Sequence, residues 1–226
     1  REELLVGNLN DPDDLAAAVE GVGGVLHLAC VHGPEKDFEA TLDVNYRALL
    51  SLLEEAVRSG VERFVYASSH HVMGLYPSSG AQAGALAATA MAPDAFYGLS
   101  KGFGELACAM YTHRCDMRTL VVRIGNADPT VKDARTLRIW VSSRDLAQLV
   151  VLGLTHPDLK YETVYGVSNC PNPLFENGRA RQLGYQPLDN ALDHLDPEFT
   201  AYEAMPAHSG RDLVGGAYAA SQLPTV

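Results

Sequence analysis

Alternation of two periodicities constrains this chain more than any other feature. Short apolar runs at residues 4–9, 25–30, 64–69, 119–124 and 163–167 take turns with stretches whose apolar residues recur at helical spacing. The runs lack the polar–apolar alternation of a strand with one wet face, so they read as strands covered on both sides. Helices are expected at 15–19, 38–59, 96–113, 142–155 and 177–183. In the second of these, Leu42, Tyr46, Leu49, Leu50, Leu53 and Ala56 share one face, and Gly60 is placed to end it. Residues 10–14 supply capping side chains, with Pro12 suited to a first helical position. Strand followed by helix, repeated, predicts a parallel sheet with helices on both faces, a doubly wound α/β fold in three layers.

Such a fold puts its ligand crevice at the carboxyl ends of the strands. The residues to watch are therefore Asn8, Cys30 to Gly33, Ser69 to His71, and Gly125 with Asn126. The Ser-, Gly- and Ala-rich stretch at 78–92, closed by Pro93, reads as a surface loop, and after Pro197 the pattern fades into a tail.

Bulk properties narrow the function. The chain has 226 residues and a formal net charge of −11, which disfavours a nucleic-acid partner. It carries no apolar run of membrane length and no leader-like segment, so no membrane partner is expected and the cytoplasm is the expected location. Cys30, Cys108, Cys115 and Cys170 form no paired motif; buried free thiols are expected, with no metal site.

Chemistry first shows at Tyr97 and Lys101. Four residues apart on a helix, they share a face. A lysine ammonium beside a phenol lowers its pKa from about 10, and a phenol so tuned serves as a general base on a substrate hydroxyl. Alone, the pair is as well explained by chance on a surface helix. Ser69, at the end of the preceding strand, can meet Tyr97 across the crevice and orient the reacting oxygen; two such elements in this order on an α/β pattern make chance a poor explanation.

The segments FVYASSHHVMG (64–74) and YGLSKGFGE (97–105) resemble the extended short-chain dehydrogenases, the NAD-dependent epimerase/dehydratase group, and within it the uronate dehydrogenases. The likeness continues through Arg123-Ile124-Gly125, Arg135 with Leu137 and Trp140, residues 142–145, 164–168, 175–177 and 183–187. It implies a Rossmann-type fold that binds NAD, with NADP left open, and oxidises a hexuronate such as glucuronate or galacturonate at C1 to the aldarolactone. By that resemblance Tyr97, Lys101 and Ser69 are catalytic, while His70, His71, Arg135 and His32 lie at the sugar, Arg135 pairing with its carboxylate. The cofactor would meet Asn8, Leu9, Ala29, Cys30, Val31, Asn45, Asn126, Tyr97 and Lys101. From spacing alone, Arg135 is a solvated loop arginine and Asn45 a helix residue satisfying nearby backbone.

The sequence also departs from the pattern. Asn8 replaces an acid, Ala29-Cys30 a glycine pair, His70 an asparagine, His32 or Gly33 a serine, and Asn126 a serine or cysteine. An altered substrate preference is expected. The Gly-rich turn and the first two strands of the pattern are not found in residues 1–226, and a start at Arg1 reads as a piece lacking its N-terminus. The strand at 4–9 is then expected either apart from the strand at 25–30 or moved in to pair with it. Residues 1–168 would form the dinucleotide-binding domain and 169–226 a small substrate-side segment and tail. A sugar acid is the expected partner; a homo-oligomer is left open. Two other readings stay open: a nucleotide-sugar epimerase, dehydratase or reductase, and a non-catalytic truncated paralogue acting as a binding protein.

Overall fold

The computed structural model describes residues 3–78 and 90–224. Its elements run α1 (Pro12–Val19), β1 (Gly24–His27), α2 (Phe38–Thr41), a π-helical turn (Leu42–Ala48), α3 (Leu49–Arg58), β2 (Arg63–Ser69), α4 (Phe96–Cys115), β3 (Arg118–Ile124), β4 (Val131–Asp133), α5 (Ser143–Thr155), β5 (Tyr161–Gly166), α6 (Gly178–Gln182), β6 (Leu195–Thr200) and α7 (Ala217–Ala220). Four strands form one parallel sheet in the order β1-β2-β3-β5. The expected three-layer α/β architecture is present.

Period-two alternation within β2 and β3 builds the two cores. Phe64, Tyr66 and Val121 point to the face where Leu15, Val19, Leu49, Leu53 and Cys108 of α1, α3 and α4 pack. Val65, Leu120 and Val122 point to the other face, against Leu149 of α5 and Ala180 of α6. Leu53 is fully buried, and its truncation to Ala would cost about 2–5 kcal/mol. Asp11 caps α1 by accepting from the backbone of Asp13 and Asp14, and Ser142 caps α5 by accepting from Asp145.

Three sequence expectations change. Residues 4–9 form no strand: Leu4 and Val6 are 88% and 92% exposed, and Asn8 bonds instead to Asp14 and Asn10. An apolar run becomes a strand only where a neighbouring ladder takes up its backbone groups, and among the described residues no strand pairs with this one. Residues after Pro197 are not a featureless tail. β6 pairs with β4 in a second, two-stranded sheet, and the chain then returns as a strap over the first sheet's carboxyl end. Backbone bonds from Ser78 to Asp212, Val214 to Tyr76 and Gly215 to Gly74 fasten it. The cysteines are free as expected, but only Cys108 is buried; Cys115 is exposed and the other two lie between. The loop expected at 78–92 falls mostly outside the described residues. Among the described residues no helix is long and apolar enough to cross a membrane.

Candidate active site

The site is assembled where β1, β2 and β3 end and α4 begins. α4 is set in rotation by a buried network: the Glu105 carboxylate accepts from Ser68 and from Arg123, and Lys101 Nζ donates to the Ala67 carbonyl at 2.7 Å. This turns Tyr97 and Lys101 toward the crevice. Lys101 stands over the Tyr97 ring, 5.7 Å from its centroid, with Cys30 alongside. Ser69 accepts from the His71 backbone at 3.2 Å, and its hydroxyl favours the Tyr97 phenolate.

Around this pair the rings gather. His71 lies edge-on to Tyr97 at 5.5 Å, His70 packs on His71 at 4.2 Å, and His32 lies edge-on to Tyr97 at 6.0 Å. Tyr218 from the strap covers His71 at 4.1 Å, and its hydroxyl lies 3.4 Å from His32 Nδ1. Arg135 enters from the turn before Thr136–Arg138, and its Nη1 donates to the Val214 carbonyl of the strap at 2.9 Å. Among the described residues no carboxylate forms an ion pair with Arg135, although Asp133 and Asp94 are near enough to favour its charge.

Burial governs the titrations. It raises the Tyr97 phenol well above its ordinary value, with Cys30 adding to the rise and the Ser69 hydroxyl opposing it. The expected lowering by Lys101 is therefore not what dominates: the ammonium is spent on the Ala67 carbonyl. Burial also lowers Lys101, and it holds His70 neutral, with the His70 Nδ1 bonded to the Ile124 carbonyl at 3.0 Å. His71 is pulled down to about 3 by burial, then by the charges of Arg135 and His32.

Tyr97, Ser69, His70, His71, His32 and Arg135 thus come together, with Lys101 behind. Asn45 does not serve its own helix, as spacing alone suggested, but reaches two distant segments. Its amide bonds both backbone groups of Val31 and the Ser100 hydroxyl, which holds the turn after β1 against α4. The π-helical turn places it there. Asn8 and Leu9 are not brought to this cluster; Leu9 packs on the α1–α3 core. Two residues of the site were missed. Asp94 sits in a segment with no periodicity, though an acid three positions before Tyr97 was a signal. Tyr218 lay in the stretch read as tail.

The nicotinamide end of a dinucleotide fits these residues. Asn126 Oδ1, just beyond β3, is a buried acceptor with no partner among the described residues, and Ala29 and Cys30 are small side chains just beyond β1. The model of the NAD dependent epimerase/dehydratase family matches residues 1–127. Uronate dehydrogenase of Pseudomonas syringae pv. tomato is 35% identical over 222 residues, covering 97% of this chain and 78% of that protein. NAD-dependent glucose-6-phosphate dehydrogenase of Haloferax volcanii is 32% identical over 204 residues, covering 84% and 78%. A point mutant of uronate dehydrogenase from Agrobacterium tumefaciens, complexed with NAD, superposes with a TM-score of 0.82 at 29% identity, covering 96% of this chain and 81% of that one. On the site, the fold and these similarities together, the chain belongs to the NAD dependent epimerase/dehydratase family.

Proposed function

We propose that the protein oxidises the C1 hydroxyl of a hexuronate to the aldarolactone with NAD as oxidant. One observation carries the carboxylate: among the described residues Arg135 has no carboxylate ion-pair partner, and its guanidinium is close enough to act on His71, whose ring lies edge-on to Tyr97. Such a fork matches a carboxylate bidentately. The uronate dehydrogenases to which the chain is similar support the same class.

In this reading Arg135 holds the sugar by its acid end, so that C1 lies at Tyr97. Ser69 donates to the reacting oxygen, and Tyr97 accepts the hydroxyl proton as general base. Lys101 would hold the nicotinamide ribose and favour the phenolate once its ammonium leaves the Ala67 carbonyl. NAD, when bound, supplies the acceptor for the hydride that leaves C1. Asn126 and Cys30 would line its nicotinamide side, while residues 169–226 close the substrate side.

The reading is tested by following NADH formation with glucuronate and galacturonate against glucose, galactose and glucose 6-phosphate. Faster turnover of both uronates than of any neutral hexose or the phosphate is expected. A neutral or phosphorylated hexose as the best substrate would overturn it.

A further inference from the structure

One carboxyl in the site has no part in the steps above. The Asp94 side chain is wholly buried, and its Oδ2 lies 2.6 Å from His71 Nδ1. Three glycines from three segments make room for it. A Cβ at Gly74 would stand 1.9 Å from Asp94 Oδ2, one at Gly215 would stand 1.8 Å from it, and one at Gly98 would stand 3.0 Å from Oδ1. The turn after β2, helix α4 and the strap therefore form a socket around a single carboxyl. Asp94 also stands immediately before Ala95, which caps α4 without a side-chain bond, so a negative charge here faces the positive end of the helix.

We propose that Asp94 is a positioning residue: it fixes the ring and the proton of His71, so that His71 Nε2 meets the sugar as a hydrogen-bond acceptor. The inference rests on the sugar-acid reading of the site. With Asp94 ionised, His71 Nδ1–H donates to it and Nε2 carries a free lone pair. Among the described residues Nε2 makes no hydrogen bond, while the ring is clamped between His70 and Tyr218. A sugar hydroxyl is the donor that such an acceptor suits.

The pair takes up one proton as pH falls. When the added proton settles on Asp94 Oδ2 or on the ring, the hydrogen bond at Nδ1 leaves a hydrogen on Nε2, and the acceptor becomes a donor; a proton on Asp94 Oδ1 would leave Nε2 an acceptor. Burial raises the Asp94 carboxyl to about 7, so this conversion falls near neutral pH. The groups facing the pair are His70 on the same turn, Arg135 before the Thr136–Arg138 turn, His32 after β1, Tyr97 on α4 and Tyr218 on the strap. Arg135 and His32 oppose a positive charge on His71, while Tyr97, Tyr218 and neutral His70 add none at this pH.

Steady-state kinetics on Asp94→Asn across pH 5.5–8.5 (about three units, spanning the raised value) tests this. In the unaltered protein KM for the uronate should rise as pH falls through about 7, with kcat following a separate profile. In Asp94→Asn that rise in KM should vanish, KM should be about tenfold higher at pH 8, and kcat should change by less than about threefold. Nitrogen NMR of the His71 ring gives a readout free of turnover: an Nδ1–H tautomer in the unaltered protein, moving to Nε2–H in Asp94→Ala. A variant that keeps the original KM–pH profile, or a His71 ring that is Nε2–H before any substitution, would overturn the proposal. Failure of the unaltered protein to oxidise any uronate would instead sink the functional reading, and the NMR result would still decide the placement of the proton.

Discussion

Glu105 and Arg123 face each other between α4 and β3 as a buried, two-pronged ion pair, Nε to Oε1 at 2.9 Å and Nη2 to Oε2 at 2.8 Å. Arg123 Nη1 also donates to the Tyr165 hydroxyl at 3.2 Å, tying β5 into the same network. Replacing Glu105 by Gln leaves a guanidinium buried without its counter-charge. The expected loss of stability is about 3–5 kcal/mol, read as a lower urea midpoint, and kcat should fall with it because Lys101 lies one turn away on α4. An unchanged midpoint would show that the pair does not hold the helix.

Tyr97→Phe removes the hydroxyl and leaves the edge-on ring contacts with His71 and His32. A fall in kcat of about 10²–10⁴ is expected, with the circular dichroism spectrum and melting temperature unchanged. Activity within a factor of about three of the original would exclude Tyr97 as the base.

Arg135 separates charge from geometry. In Arg135→Lys the positive charge stays but the fork is lost, and both Val214 and the substrate compete for one ammonium. KM for a uronate should rise about tenfold to a hundredfold, while turnover of the corresponding neutral hexose stays as low as before. A variant with unaltered KM would place the carboxylate elsewhere.

Acid should destabilise the fold through histidines held neutral. His27, stacked on Tyr66, is lowered to about 4 by burial and by Lys101; His71 is lowered to about 3, and His70 also lies well below its ordinary value. Each is neutral when folded and takes a proton when unfolded below about pH 6.5. Their contribution is therefore full above pH 6.5 and is lost as pH falls toward the folded values. Asp94, raised to about 7, works the other way and returns part of the loss. The net expectation is a drop on the order of a few kcal/mol between pH 7 and 5, measured by urea unfolding at both values. Equal stability at the two would contradict it.

Much of this was legible in the sequence, for identifiable reasons. Tyr97 and Lys101 could be read because helical spacing fixes which side chains share a face, and Ser69 because a strand end fixes where it points. The run at 4–9 was misread because apolar character says nothing about whether a partner ladder exists. The phenol's upward shift was hidden because spacing reports a neighbouring charge but not the depth of burial or the carbonyl that captures Lys101. Asp94 was hidden because its environment is made by glycines at 74, 98 and 215, which come together only in space. Tyr218 was hidden because the strap is held by main-chain bonds, which leave no periodic trace in side chains.

That manner of fastening has an evolutionary consequence. Val214 and Gly215 secure the strap through their peptide groups, whereas Tyr218 only rests on His71 and His32. Drift at Tyr218 would then reshape the cover over His71 and His32 without detaching the strap and without disturbing Tyr97 on α4. The cover over these rings and the Tyr97–Lys101 pair lie on separate stretches of chain, so the first can vary while the second is kept.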